Sequence, residues 1–332
     1  MSSTTGAANR SATPLSDYAA ARLISRILIR YYRQGQSQAA IGQELGLSTA
    51  KVNRLIKRAR QDGLVEISIH TPFESLLNLE AALCDQFPLQ EALVAPHLSD
   101  DSDALIETLG EAAADHLLAQ LRDGDTLCIS GGRAVQSVVK AIRPERQLAV
   151  RVVPATGGIQ GRHHSDVNYL ASALAERLGG EALHLHAPIL VDTPDQRDAI
   201  QAIRQIREVL EMARNADVAL LGVGSIEPQG SSYLGLTNLD PETHHRLLDQ
   251  HQASGAILAR LYDAQGEACA TQLNRRIVGL SLAELARIPT RIGVAAEETK
   301  TKPLRAALTG AVINHVVTEQ QTAERLLCEP IS

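Results

Sequence analysis

Two sets of residues in this chain carry binding chemistry. The first runs from Ser48 to Arg60. Val52, Leu55, Ile56 and Ala59 recur at helical spacing and make one apolar stripe. Thr49, Lys51, Asn53, Arg54, Lys57 and Arg58 fall on the other side. The amide of Asn53 suits an adenine edge and the guanidinium of Arg54 a guanine edge. Ser48 and Thr49, beside free backbone N–H groups at a helix start, suit phosphate. Lys57, Arg58 and Arg60 suit the phosphate backbone. This set reads duplex DNA.

The second set is three glycine turns, each following an apolar run. They are Ser130-Gly131-Gly132-Arg133-Ala134, Thr156-Gly157-Gly158-Ile159-Gln160-Gly161 and Gly222-Val223-Gly224-Ser225. Glycine lets backbone close on an anion, and a helix starting there points N–H groups at it. Ser130 adds a hydroxyl and Arg133 a charge. Lys300 precedes a helical stretch and belongs near the same rim. No G-x-G-x-x-G opens the first turn and no Walker A pair exists, so no nucleotide cofactor is expected. The histidine pairs His163-His164, His184/His186 and His244-His245 lack a carboxylate pattern, so no metal is expected. Asp166, Asp192 and Asp263 read as caps or hydrogen-bond partners, and no catalytic residue is assigned.

The elements that hold these sets follow from patterning. Residues 1–16 are polar and aperiodic and read as a disordered arm. Residues 17–70 read as a winged helix-turn-helix: a helix from Asp17, an N-cap at Ser37, a turn at Gly46, a second N-cap at Ser48, Gly63 at a left-handed C′, then an alternating strand from Leu64 to Ile69. Residues 71–90 read as a linker helix. It either mediates dimerisation or packs on its own effector domain. Residues 91–330 alternate short apolar runs with amphipathic helices, which implies a parallel sheet covered on both faces. The expected strands are Ala92–Ala95, Thr126–Ile129, Val150–Pro154, Pro188–Val191, Val218–Val223, Arg291–Ala295 and Val312–Val317. A single helix is expected over Thr193–Asn215. The fold class is α/β: a winged helix-turn-helix followed by a Rossmann-like parallel-sheet domain.

Charge divides the same way. Residues 1–70 hold ten Lys/Arg against four Asp/Glu, and the remainder holds 22 against 34. A basic module on an acidic body suits one polyanionic partner at one end. Aromatics are 2%, too few for a single-strand stacking platform. Four dispersed cysteines exclude a CxxC zinc ribbon. No apolar run reaches bilayer length and no secretory h-region opens the chain, so the expected location is cytoplasmic, without membrane contact.

IGQELGLSTAKVNRLIKRARQDGLVEISI, GDTLCISGGRAVQSVVKAI, VVPATGGI, ADVALLGVGS, LNRRIVGLSLAEL and KTKPLRAALTGAVINHVVTEQQTAERLL together resemble the SorC family of bacterial transcription regulators over roughly residues 20–328. The resemblance implies a sugar-phosphate isomerase/deaminase-like fold, a sugar, polyol or sugar-phosphate effector, and homodimers or homotetramers on operator DNA. It implies that Ser130, Gly131, Gly132 and Arg133 form a phosphate turn. It implies that Gly157, Gly158 and Gln160 form part of the pocket rim. Gly224, Ser225, Asp263 and Lys300 follow as further pocket positions, Asp263 suited to hydroxyls and Lys300 to phosphate. Three departures from the family pattern bear on the ligand. Ala134 stands where Thr is common, Ala256 follows Gly255 where Asp is common, and Ala296-Glu297-Glu298-Thr299 stands where a Gly-Gly pair is common. A carboxylate near an anionic ligand weakens its binding unless a cation offsets it. An uncharged sugar or polyol, and a phosphate held by Arg133 and Lys300 despite the glutamates, both stay open.

The expected function is a DNA-binding repressor whose operator affinity is set by this effector, and not an enzyme. The alternative is a sugar-phosphate isomerase or deaminase with a fused DNA-binding head, since fold does not imply function.

Overall fold

Serine caps and a glycine turn build the first structural unit. The computed structural model describes residues 15–67, 71–159, 165–227 and 252–328, with 233, 242, 245, 249 and 250. Helix α1 spans Leu15–Leu28 and runs on into a wider π turn, Ile29–Arg33. It starts two residues before Asp17; the rest of the expected arm lies outside the described residues. Helix α2 is Gln38–Leu45, and the Ala40 amide donates to Ser37 Oγ at 3.2 Å. Gly46 turns the chain at φ 65°. Helix α3 is Thr49–Gln61, and the Lys51 amide donates to Ser48 Oγ at 3.2 Å. Ile27, Ile41, Val52, Ile56 and Ala59 are buried and hold the three helices together. Gly63 takes φ 70°, as a left-handed C′ position requires.

The expected strand after Gly63 is corrected in part. Leu64–Ile67 forms no strand, and Leu64 and Ile67 are 60% and 54% exposed. A strand needs a hydrogen-bonding neighbour, and none pairs with this segment among the described residues. Residues 68–70 lie outside them.

The chain divides into Met1–Thr71 and Pro72–Ser332. In the second unit, seven parallel strands lie in the order β1-β9-β8-β5-β2-β3-β4. They are β1 Glu91–Ala95, β2 Thr126–Ile129, β3 Arg151–Pro154, β4 Glu181–Ala182, β5 Val218–Gly222, β8 Thr290–Val294 and β9 His315–Glu319. Leu127 and Ile129 face one core, with Val218, Leu220 and Ile292. Cys128 faces the other, with Ala219, Leu221 and Val316. Burial on both faces is why these strands read as unbroken apolar runs. Helices α5 Ser102–Gln120, α6 Arg133–Ala141, α7 Val167–Leu178, α8 Pro194–Ala202 and α9 Arg204–Arg214 connect and cover them.

Helix α4, Glu74–Gln86, belongs to this unit. Its Leu76 and Leu83, with Phe87, are buried in the core that also holds Val316 and Leu326. The segment read as a linker packs on its own domain through these three side chains.

Other readings need correction. Pro188–Val191 is not a strand; Pro188 and Leu190 make only isolated bridges, because proline has no N–H for a ladder. The helix expected over Thr193–Asn215 breaks at Ile203, which is extended at ψ 125°. The hairpin β6 Gly255–Ile257 and β7 Arg260–Tyr262 was not expected at all. Its two turn residues, Leu258 and Ala259, sit at φ 53° and 58°. That turn normally takes Asn-Gly, so the sequence carries no hairpin signal there. Among the described residues no helix is long and apolar enough to cross a membrane.

Candidate functional site

Strand order fixes where a ligand can sit. From β2 the chain moves outward to β3 and β4, then returns to β5 on the other side of β2 and moves outward to β8 and β9. The β2/β5 gap is thus the topological switch point, and open α/β sheets bind ligands at the carboxyl ends of strands there. A cavity of about 500 Å³ lies at this place. Its walls come from the turns after β2, β3, β5 and β8, from the start of α5, and from Leu258 and Ala259.

The turn after β2 is built for close approach. Gly132 takes φ 116° and precedes α6, whose first turn has no side-chain cap. A Cβ on Gly131 would stand 2.8 Å from the Ser165 carbonyl, so only glycine fits. The Ser130 hydroxyl accepts from the Gly222 amide at 3.0 Å and donates to the Gly131 carbonyl at 3.1 Å. It ties the β2 and β5 turns together across the switch point. Gly157 is equally constrained: its Cβ would meet the Ala187 and Pro188 carbonyls at 2.5 Å.

Asp166 is a cap, as its neighbours suggested. One oxygen accepts from the Asn168 amide at 3.0 Å and the other from the Ile159 amide at 2.9 Å. It fastens the start of α7 to the second glycine turn.

Arg133, the first residue of α6, donates from Nη2 to Ser102 Oγ at 2.9 Å. Ser102 donates in turn to Glu297 Oε1. Glu297 and Asp103 each bring a carboxylate oxygen 3.8 Å from the same guanidinium nitrogen. Glu297 holds φ 90°, a left-handed backbone that favours glycine. Lys300 lies at the entry of the helix Thr301–Thr309. Burial pulls its ammonium below the usual lysine range; Glu297 opposes this and Arg133 adds to it.

Seven of the expected effector residues line this one cavity: Ser130, Gly131, Gly132, Arg133, Gly157, Gly224 and Lys300. Gly158 is not among the lining residues; a Cβ on it would stand 2.6 Å from the Asp166 carboxylate. Gln160 lies outside the described residues. Ser225 and Asp263 do not line it; both lie on a different hollow. Gly224 is bridged to Ala256, and successive extended residues point opposite ways, so Ser225 turns away. Strand β7 runs antiparallel from the Leu258-Ala259 turn, so Asp263 at its far end is carried away from the cavity. The Asp263 carboxylate instead accepts the Gln265 and Glu267 amides, each at 3.0 Å. Sequence reasoning missed Ser102, Ile106 and the Leu258-Ala259 turn as lining residues; nothing local marks them. Glu297 was visible only as a departure from the family pattern.

The expected DNA-contacting residues Ser48, Thr49, Lys51, Asn53, Arg54, Lys57 and Arg58 are all exposed on or beside α3. Arg58 lies 3.5 Å from Asp62. Arg60 is held by Tyr32, bonding its hydroxyl and lying 5.6 Å from its ring centre. That partner limits its reach toward phosphate.

A second polar cluster sits at the opposite ends of β1 and β9. His116 Nε2 meets His315 Nδ1 at 3.1 Å, with Glu91 oxygens 3.9 and 3.7 Å from the two rings. These three residues offer ligand atoms within 4.8 Å of one another. The ring centres stand 5.3 Å apart, so the nitrogens meet nearly head-on as a hydrogen-bonded pair rather than converging on one point. Burial lowers both histidines below their ordinary range; Glu91 opposes this on each, and His116 and Arg291 add to it on His315. Both are therefore neutral in the fold while the unfolded chain still titrates near pH 6.5. Stability from this pair is complete above about pH 6.5 and is lost as pH falls through that value toward the folded one. The unfolding free energy should fall on acidification, by at most about 1.4 kcal/mol per pH unit for each proton. Substituting both His116 and His315 by Gln should flatten that slope; an unchanged slope would remove the pair as its source.

Comparison with known proteins agrees with both units. Residues 71–328 match the sugar-binding domain family, and residues 22–66 match winged helix-turn-helix DNA-binding domains. The sorbitol operon regulator of Klebsiella pneumoniae is 33% identical over 316 residues, covering 92% of this chain and 98% of that protein. The deoxyribonucleoside regulator of Bacillus subtilis is 30% identical over 302 residues, covering 90% and 94%. The crystal structure of the full-length sorbitol operon regulator SorC from Klebsiella pneumoniae superposes with a TM-score of 0.71 at 31% identity, over 92% of this chain and 98% of that one.

Proposed function

The chain belongs to the SorC family of transcriptional regulators, with a winged helix-turn-helix and a sugar-binding domain, and on that premise we propose that it is a carbohydrate-released repressor. Unit one grips operator duplex through the exposed face of α3. Asn53 and Arg54 read base edges, and Ser48, Thr49, Lys51, Lys57 and Arg58 hold phosphates. One such module buries only roughly 600–1,000 Å² on DNA, so the working form is a homodimer or homotetramer on repeated half-sites in the cytoplasm.

The effector is a sugar, polyol or sugar phosphate bound in the switch-point cavity. The observation that carries this is the meeting of seven separately identified residues, from four turns, on one cavity at the strand ends. Binding rather than turnover is favoured by the carboxylates there. Asp166 caps a helix and Glu297 is engaged by Ser102 and Arg133, so among the described lining residues no free acid–base pair remains. Effector and operator must alter each other's affinity by the same factor.

A thermal-shift screen of the full chain against sugars, polyols and their phosphates tests the reading, because a ligand that binds only the folded state raises its melting point. The hit should also loosen operator DNA. Lys300→Ala is expected to weaken that hit at least about tenfold, the loss of one charged hydrogen bond. Unchanged affinity would take Lys300 out of the contact set. Product formation from a sugar phosphate would overturn the repressor reading in favour of an enzyme.

A further inference from the structure

Among the described residues that line the cavity, the charges balance. Its described lining residues include two cations, Arg133 and Lys300, and two carboxylates, Asp166 and Glu297. Neither carboxylate can easily leave. Asp166 accepts three backbone amides, from Ile159, Asn168 and Tyr169. Glu297 is bonded by Ser102 and lies against Arg133. The guanidinium that would meet a phosphate is thus already shared between Ser102 and two carboxylates.

The backbone makes the same point. Glu297 occupies φ 90°. A side chain other than glycine persists in such a conformation when its surroundings hold it there. Here the holding contacts are Ser102 and Arg133.

We propose that Glu297 is a specificity-determining residue: it sets the cavity for an uncharged sugar or polyol and against its phosphate ester. This deepens, and rests on, the carbohydrate-effector reading above. A phosphate dianion brought to the uncapped start of α6 would compete with Glu297 and Asp103 for Arg133 and would sit beside the Glu297 carboxylate, a like charge that costs binding. Hydroxyl groups carry no such conflict. They accept from Lys300 and from the α6 amides, and they donate to the carboxylate oxygens.

The test is isothermal titration of the full chain with a panel of pentoses, hexoses and their polyols, each paired with its own terminal monophosphate. Wild type should bind at least one parent compound more tightly than its ester. Glu297→Gln keeps the size and the hydrogen-bond acceptor but removes the charge. It should shift the ester-to-parent affinity ratio toward the ester by about tenfold or more. Should Glu297→Gln fold poorly, Glu297→Gly suits φ 90° and must shift the ratio in the same direction. A tighter ester in wild type, or an unchanged ratio in the variants, overturns the assignment of Glu297 while leaving the carbohydrate reading intact. Binding of no compound by any of these proteins overturns both.

Discussion

Arg260→Met is expected to destabilise the second unit by about 3–5 kcal/mol. Arg260 is 7% exposed, and among the described residues no carboxylate pairs with it. Its guanidinium instead donates to four carbonyls: Leu280 at 2.6 Å, Asn274 at 2.5 Å, Gly279 at 3.0 Å and Ile277 at 3.3 Å. Burial lowers it to about 10, with Arg197 adding and Glu284 opposing, so it remains charged at neutral pH. Methionine would fill similar space yet leave several buried acceptors without a donor, which is the costly half of any hydrogen-bond deletion. The effect should reach the cavity. The same segment accepts the Gly157 amide through Val278, at 3.0 Å, and pairs Gly279 with Thr156. A urea titration reads the stability loss, and effector titration of the surviving folded fraction reads the second consequence. A loss under about 1 kcal/mol would mean that water or a rearranged chain serves those carbonyls.

The second large effect lies on α3. Arg54→Ala should weaken operator binding by about 1–3 kcal/mol and relax discrimination at one base pair. Lys57→Ala should behave differently. It should weaken all duplexes alike and lower the salt dependence of binding by about one released counterion. Fluorescence anisotropy across a salt series, on the duplex that the protein itself selects from a random pool, separates the two. Arg54→Ala binding that duplex like wild type would strike Arg54 from the base-reading set.

The two substitutions differ in how visible they were beforehand. Arg54 stands in a helix whose cap, turn and apolar stripe all lie within a dozen residues. Ser48 caps the third amide on, and Val52 and Ile56 are one turn apart, so spacing alone assigns both the helix and its outward face. Arg260 stands in an unremarked Ala-Arg-Leu-Tyr run. Its partners are 14 to 20 residues further along the chain, in a segment whose path no local pattern reports.

The effector domain shows the same division. The apolar runs and glycine turns identified β2, β3, β5 and β8, because a doubly covered parallel strand must be apolar at successive positions. They also identified Gly131 and Gly157, because only glycine tolerates a carbonyl at under 3 Å from its Cβ position. Sequence further set the caps at Ser37, Ser48 and Asp166, which need only a side chain and an amide within a few residues. Tertiary structure alone decided that Ser225 and Asp263 leave the cavity, that Ser102 joins Glu297 across 195 residues, and that His116 meets His315 across 199. Helix caps and strand patterns are governed by bonds and burial repeating every few residues, which composition and spacing encode directly. A meeting of distant side chains depends on strand order and on the direction each strand leaves the sheet, and that order exists only once the whole core has packed.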